Sequence, residues 1–263
     1  MQDKPSRETR GTRPYSGPVR CFSSRLTVSA KAAFTGLGLL SAAVILAGPC
    51  RAAPERPVLV ELFTSQGCAS CPPAETLLGD LAKRPNVLAL AWHVDYWDGL
   101  GWKDKFSFHD ATQRQFDYSE RLGRDNVYTP QLVVDGDSQA IGWDASAAAR
   151  LIHAAASHPV VGPSLTLDQR PGGTTSIAIG AGSGAGTVWL VDYDRAQTTP
   201  IGRGENAGQT LTQYQVVRTA TKLGAWHGAA LDLPLPAKSA QGEVVFIEPD
   251  GHGPMLATLA VER

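Results

Sequence analysis

At 263 residues, 43% hydrophobic and 19% charged, the chain has the composition of a folded protein with room for one large or two ordinary domains, which excludes wholesale disorder. The formal net charge of −1 conceals an asymmetry: residues 1–52 carry eight Lys or Arg against Asp3 and Glu8, and the remainder sits near −7. A body that acidic excludes nucleic acid as an expected partner, because phosphate binding needs a basic face.

The basic leader runs into an uncharged stretch between Lys31 and Arg51, with an apolar core from Ala32 to Gly48. This layout predicts a secretory signal peptide cut near Cys50-Arg51-Ala52 or Arg51-Ala52-Ala53. Two alternatives are an uncleaved membrane anchor and a lipid-modified Cys50. Gly36, Gly38, Gly48 and Pro49, and a span marginal against the ~20 residues of a transmembrane helix, weigh against the first. Pro49 weighs against the second. The mature chain is then periplasmic or secreted, with no membrane contact after cleavage.

After the leader, PVLVELF (Pro57 to Phe63) reads as a buried strand. Cys71 to Lys83 reads as a helix with Ala74, Leu77, Leu78 and Leu81 on one face and Pro72 and Pro73 in its first turn, where a missing N–H costs little. VLALAWHV (Val87 to Val94) is a second buried strand, and the three make a right-handed βαβ unit with both strand ends on one edge of a parallel sheet. An aromatic loop from Asp95 to Phe106 leads to a helix from about Asp110 to Leu122. Gln131–Val134 and Gln139–Ile141 form a hairpin across Asp135-Gly136-Asp137, and a helix spans Ala145–Ala156. The order β-α-β-α-β-β-α is that of a minimal thioredoxin fold.

From Val160 the pattern changes to short alternating runs between Gly, Pro and polar turns: 165–167, 175–179, 188–191, 210–217, 244–247 and 256–261. This predicts an antiparallel β-domain, a sandwich in architecture. The fold class is α/β, divided as leader 1–52, thioredoxin-like domain 53–158 and β-rich domain 159–263.

Cysteine usage narrows the chemistry. Cys21 and Cys50 fall in or before the signal, leaving only Cys68 and Cys71, two residues apart, where a disulfide-stapled fold would spread several pairs. Cys68 ends the loop leaving the first strand and sits where the helix begins. Unpaired N–H groups and the helix dipole there favour its thiolate, making Cys68 the nucleophile and the more shielded Cys71 the resolving thiol. Thr129-Pro130 stands just before the next strand. In thioredoxin-like folds a cis-proline at that point lies across from the cysteine pair and leaves backbone groups free for substrate.

ELFTSQGCASCPPAE (Glu61 to Glu75), HVDYWDGLGWKD (His93 to Asp104) and VYTPQLVVDG (Val127 to Gly136) together resemble the exported bacterial thioredoxin-like proteins of domain-of-unknown-function family 1223. The resemblance covers Pro57 to about Ala156 and continues into RGENAGQTL (Arg203 to Leu211). It implies architecture and leaves the substrate unassigned. Against thioredoxin itself, Ala69-Ser70 replaces the glycine-proline between the cysteines. Glu61 stands where thioredoxins carry a buried acid, so it is either the base for Cys71 or a strand-face glutamate paired with a neighbouring base.

Asp95, Tyr96, Trp97 and Trp102, with Thr129, are candidate substrate-groove residues, the alternative being a loop whose aromatics fill space over the sheet. His93 belongs to the same loop or is a hydrogen-bonded core histidine. Arg203, Glu205 and Asn206 read as a turn or salt-bridge cluster, the alternative being part of a site, and Trp226-His227-Gly228 carries no signal. The leading expectation is a thiol-disulfide oxidoreductase with no cofactor beyond its redox-active disulfide. Protein or small-molecule thiols and disulfides are its substrates, and an external redox partner recycles it. The alternatives are a copper or zinc module using Cys68, Cys71 and His93 or His109, and a binding domain with a fixed disulfide.

Overall fold

The computed structural model describes residues 56–158, 162–169, 175–251 and 253–263, all within one compact unit spanning Arg51–Arg263. The expected signal peptide, its apolar core and Cys21 and Cys50 lie outside these residues. Three helices, α1 (Pro72–Leu81), α2 (His109–Arg121) and α3 (Ala145–Ala156), cover the first strand, β1 (Val58–Thr64), on both faces. Val58, Val60 and Leu62 pack with Ala74 and Leu78 of α1 and Ile152 of α3, whereas Leu59 and Phe63 pack with Ala111 and Tyr118 of α2. Side chains alternate across a strand, so burial on both faces requires the unbroken apolar run seen in the sequence.

β2 (Val87–His93) pairs parallel with β1 from Val58↔Val87 to Thr64↔His93, bringing both strand ends to one edge. β3 (Gln131–Val134) runs antiparallel to β1, and β4 (Ser138–Ile141) returns from it through Asp135 (φ 54°) and Gly136 (φ 74°). Those left-handed conformations cost glycine nothing and aspartate little. Asp144 caps α3 by accepting from the Ala147 N–H at 2.9 Å. The β-α-β-α-β-β-α order is therefore present, a thioredoxin-like fold.

The remaining strands are β5 (Leu165–Gln169), β6 (Thr175–Ile179), β7 (Gly186–Pro200), β8 (Thr210–Trp226), β9 (Leu231–Pro234), β10 (Gly242–Pro249) and β11 (Ala257–Val261). They form two antiparallel layers. The small sheet β5-β6-β9 lays Ile177 and Ile179 on Val188, Leu190, Trp226, Val245 and Ile247 of the larger layer. That larger layer does not stop at its own edge. β8 meets β2 in parallel at Ala91↔Val216, giving a single eight-stranded sheet in the order β11-β10-β7-β8-β2-β1-β3-β4.

β7 and β8 outrun the apolar patterns at 188–191 and 210–217, pairing from Gly186↔Trp226 to Pro200↔Thr210. Residues 194–198 are half-buried or exposed, so hydrophobic periodicity carries no sign of this two-stranded ribbon, which is held by its ladder of backbone bonds. β9 was also not anticipated, being four residues ended by a proline. Among the described residues no helix is long and apolar enough to cross a membrane.

The ribbon is seated on α1 through Tyr214. A Cβ added to Gly79 would stand 2.7 Å from the Tyr214 ring, so helix and ribbon approach only because this position has no side chain. Gly79→Ala is expected to lower stability by about 1–2 kcal/mol in urea titrations, overpacking outweighing the up to ~1 kcal/mol that alanine gives a free helix.

Candidate functional site

β1 delivers the chain into the loop Ser65–Cys71, where Cys68 and Cys71 form a disulfide with Cα atoms 5.4 Å apart. Cys71 is the residue preceding α1, and Pro72 and Pro73 are the helix's first two positions. Prolines have no N–H to offer. The N–H groups of Ala74 and Glu75 both bond to the Cys71 carbonyl, at 2.9 and 3.1 Å. These expected backbone donors are therefore not free to meet a Cys68 thiolate; the group in contact with its sulfur is the Ser70 hydroxyl, at 3.4 Å. Both cysteines are 1% exposed, in place of the expected contrast between an open Cys68 and a shielded Cys71.

The Thr129-Pro130 bond is cis. A Cβ on Gly142 would meet Leu62 of β1, Pro130, and Ala74 in the first turn of α1, all within 3.0 Å, so the cis-proline, β1 and the helix start converge there. Trp97 ties this point to the cysteine loop. Its indole N–H donates to Thr129 Oγ1 at 2.9 Å, and its Cβ stands 3.2 Å from where a Gly67 Cβ would be. Trp102 donates to Gln66 Oε1 at 3.0 Å, which brings a second aromatic against the same loop.

Asp95 turns to α2 instead, and Tyr96 reaches both α2 and Thr129. Asp95 accepts from Thr112 Oγ1 at 2.5 Å, and Tyr96 donates to Gln115 Oε1 at 3.1 Å. The Thr112 bond, assisted by His109, holds the Asp95 carboxyl below the usual range. Glu61 is fully buried, but on the α2 face of the sheet. It accepts from Arg114 Nε at 2.7 Å, Arg114 Nη2 at 3.1 Å and the Tyr118 hydroxyl. α1, which carries Cys71 at its start, packs on the opposite face. Glu61 thus matches the paired strand-face glutamate of the two sequence readings.

Residues of the RGEN cluster, read from the sequence as a turn or salt bridge ahead of a site, also reach the cysteine loop. The tip joining β7 to β8 folds over it: Asn206 Nδ2 donates to the carbonyls of Gln66 and Cys68, both at 3.0 Å, and Glu205 Oε2 accepts from the Ala69 N–H at 3.0 Å. Gln66 Nε2 donates to Thr199 Oγ1 at 3.0 Å and lies 3.4 Å from Gln213 Oε1, both on the ribbon. Gly204 in the tip combines a φ of +77° with Trp102 Cβ 3.1 Å from its own absent Cβ, which leaves glycine the one residue that fits. Arg203 is exposed. The signal for this contact was the RGEN run itself, whose polar residues sit where a β-turn needs none of them in particular.

A second buried polar set lies beneath the loop. Thr64 Oγ1 donates to Glu75 Oε1 at 2.7 Å, and His93 Nδ1 is 2.6 Å from Asp104 Oδ2, which also accepts from the Gln66 N–H at 2.8 Å. Among the described residues no group of three or more His, Cys, Asp and Glu is arranged to hold a metal ion.

With this geometry established, residues 59–248 match the family model described as "Protein of unknown function (DUF1223)". The chain belongs to the DUF1223 family. It is similar, at 30% identity and a TM-score of 0.68, to the crystal structure of protein AGR_C_4864 from Agrobacterium tumefaciens, over 80% of this chain and 96% of that one. It is also similar in fold to HBP35 of Porphyromonas gingivalis, at 12% identity and a TM-score of 0.50, over 79% and 75% of the two chains. No curated protein matches the chain.

Asn206→Ala removes the one side chain that satisfies both the Gln66 and Cys68 carbonyls from across the loop. The Cys68 carbonyl keeps the Cys71 N–H at 3.2 Å, but leaving the Gln66 carbonyl unpaired costs about 1–3 kcal/mol, which a urea titration of the oxidised protein is expected to register as a lower midpoint. The loosened loop is expected to make the disulfide faster to reduce with dithiothreitol.

Proposed function

We propose that this DUF1223 protein is a thiol-disulfide oxidoreductase acting outside the cytoplasm, with Cys68 as the exchanging sulfur and Cys71 as the resolving one. The observation that carries this reading is the disulfide between the only two cysteines of residues 53–263, at the start of the helix whose first turn meets the cis-proline at Gly142. A disulfide spanning three positions gains little from loop closure, so fold stability is a weak reason for it.

A substrate thiolate attacks Cys68 Sγ; the Cys68–Cys71 bond breaks and Cys71 leaves with the electron pair. The second substrate thiol then attacks its own sulfur in the mixed disulfide and releases Cys68. Two electrons pass from the substrate dithiol to the cysteine pair, and the substrate leaves as a disulfide. The reverse sequence reduces a substrate disulfide. Protein or small-molecule thiols and disulfides are the substrate class, and with no third cysteine in residues 53–263 a separate redox partner restores the pair. The Ser70 hydroxyl stabilises the Cys68 thiolate. Thr129, Trp97 and Trp102 form the wall that substrate meets. Residues 1–52 serve as the export leader, a role supported by their basic start and apolar core.

Cys71→Ser, incubated with glutathione disulfide, is expected to accumulate a mixed disulfide on Cys68 visible as a mass increase of one glutathione, while Cys68→Ser accumulates none and loses exchange activity. A Cys68→Ser variant that exchanges as fast as the native protein contradicts the proposal.

A further inference from the structure

The buried polar set beneath the cysteine loop lies beside Cys71. Glu75 lies one helical turn beyond Cys71, its N–H bonded to the Cys71 carbonyl at 3.1 Å. The two residues line a common cavity of about 190 Å³, walled on its far side by Thr210 to Tyr214 of β8. Glu75 is 5% exposed; Oε1 holds the Thr64 hydroxyl, the Tyr214 backbone faces the carboxyl, and Oε2 is buried with no hydrogen bond of normal geometry among the described residues. His93 Nε2, 3.8 Å from Glu75 Oε1, is likewise buried without one. The other face of the imidazole is fixed, because Nδ1 is held by Asp104, itself pinned by the N–H groups of Gln66 and Phe106 at 2.8 and 2.9 Å.

A buried carboxyl oxygen without a partner is costly and calls for a reason. We propose that Glu75, positioned by His93 and Asp104, gives Cys71 its proton when the disulfide opens and takes it back when the disulfide closes. This inference rests on the oxidoreductase reading above. In the opening direction, the substrate thiolate forms a bond to Cys68 Sγ, the Cys68–Cys71 bond breaks, and the departing Cys71 thiolate takes the proton of the Glu75 carboxyl across the shared cavity. In closing, the Glu75 carboxylate removes that proton as Cys71 attacks.

The surroundings of Glu75 suit both halves of this cycle. Burial raises its carboxyl above the ordinary value, the direction that lets it carry a proton, while His93 and the Thr64 hydroxyl oppose that rise. Burial disfavours the His93 imidazolium, but the adjacent Asp104 carboxylate outweighs it and raises His93 overall. The groups facing this pair are Thr64 from β1, Asp104 from the loop after β2, and the Tyr214 backbone and Arg218 from β8.

The test is the rate of reduction of the native disulfide by dithiothreitol, expressed per dithiothreitol thiolate and followed from acid to alkaline pH. In the native protein this rate is expected to fall as pH rises, because the proton on Glu75 is lost. In Glu75→Gln it is expected to be at least about tenfold lower at the acid end and flat with pH. His93→Gln keeps the carboxyl and removes the charge that lowers its titration, so the fall is expected to move to higher pH; this shift carries the test if Glu75→Gln does not fold. A folded Glu75→Gln with the native rate and pH profile, or a His93→Gln whose profile does not move, overturns the inference alone. A native protein that dithiothreitol does not reduce overturns the oxidoreductase reading and this inference with it.

Discussion

The backbone of Ser65–Cys71 is held by polar side chains from two other segments of the chain, and the geometry of the cysteine pair depends on that grip. A loop carrying two cysteines has carbonyl and N–H groups that no strand or helix satisfies, and burying them unpaired would be costly. Asn206 takes the Gln66 and Cys68 carbonyls, Glu205 takes the Ala69 N–H, and Asp104 takes the Gln66 N–H. Asn206 and Glu205 come from a chain segment more than a hundred residues away, carried in by the polar ends of β7 and β8, and Asp104 from the loop after β2. The ribbon's continuity with the thioredoxin sheet, through the parallel contact of β8 with β2, is what makes the reach possible. The β-rich half therefore has a definite part in the site: it covers the disulfide.

Strand alternation separates two buried charge systems that the sequence places only a few residues apart. On the α2 face, Glu61 and Glu248 surround Arg114, whose guanidinium also lies over the rings of Trp92, Tyr118 and Phe246 at 5.1, 4.9 and 5.2 Å. The two carboxylates and the Arg114 guanidinium are paired there, although Trp92 Nε1 has no hydrogen-bond partner among the described residues, and removing one charged partner from such a buried set typically costs about 3–5 kcal/mol. On the α1 face, Thr64, Glu75, His93 and Asp104 form the second system, in which Glu75 Oε2 and His93 Nε2 stay unpartnered. The α2-face cluster, its charges paired with one another, behaves as structure; the α1-face cluster lies beside Cys71.

Much of this was legible in the sequence because it rested on short-range rules. The apolar runs of β1 and β2, the Asp-Gly turn after β3, the paired prolines opening α1 and the strand-entry Pro130 each carry their own local cause. What escaped was set by register and by long-range pairing. Glu61 is seven positions before Cys68, and the strand's period of two sends it to the α2 face, so the acid that shares a cavity with Cys71 is Glu75 on the helix itself. The polar ends of β7 and β8 have no hydrophobic period to announce them, so Glu205 and Asn206 read as a surface turn. Pro72 and Pro73 were legible as helix openers, but the donors they remove from the helix start bear on the sulfur chemistry only once the loop is seen.

The most direct test of the central claim is a glutathione redox titration of the native protein, with the state of Cys68 and Cys71 read by alkylation and mass. The account predicts a reversible midpoint between roughly −120 and −270 mV, the span of thioredoxin-like catalysts. A pair that stays oxidised at every glutathione ratio would contradict it, and would make the disulfide a fixed part of the fold.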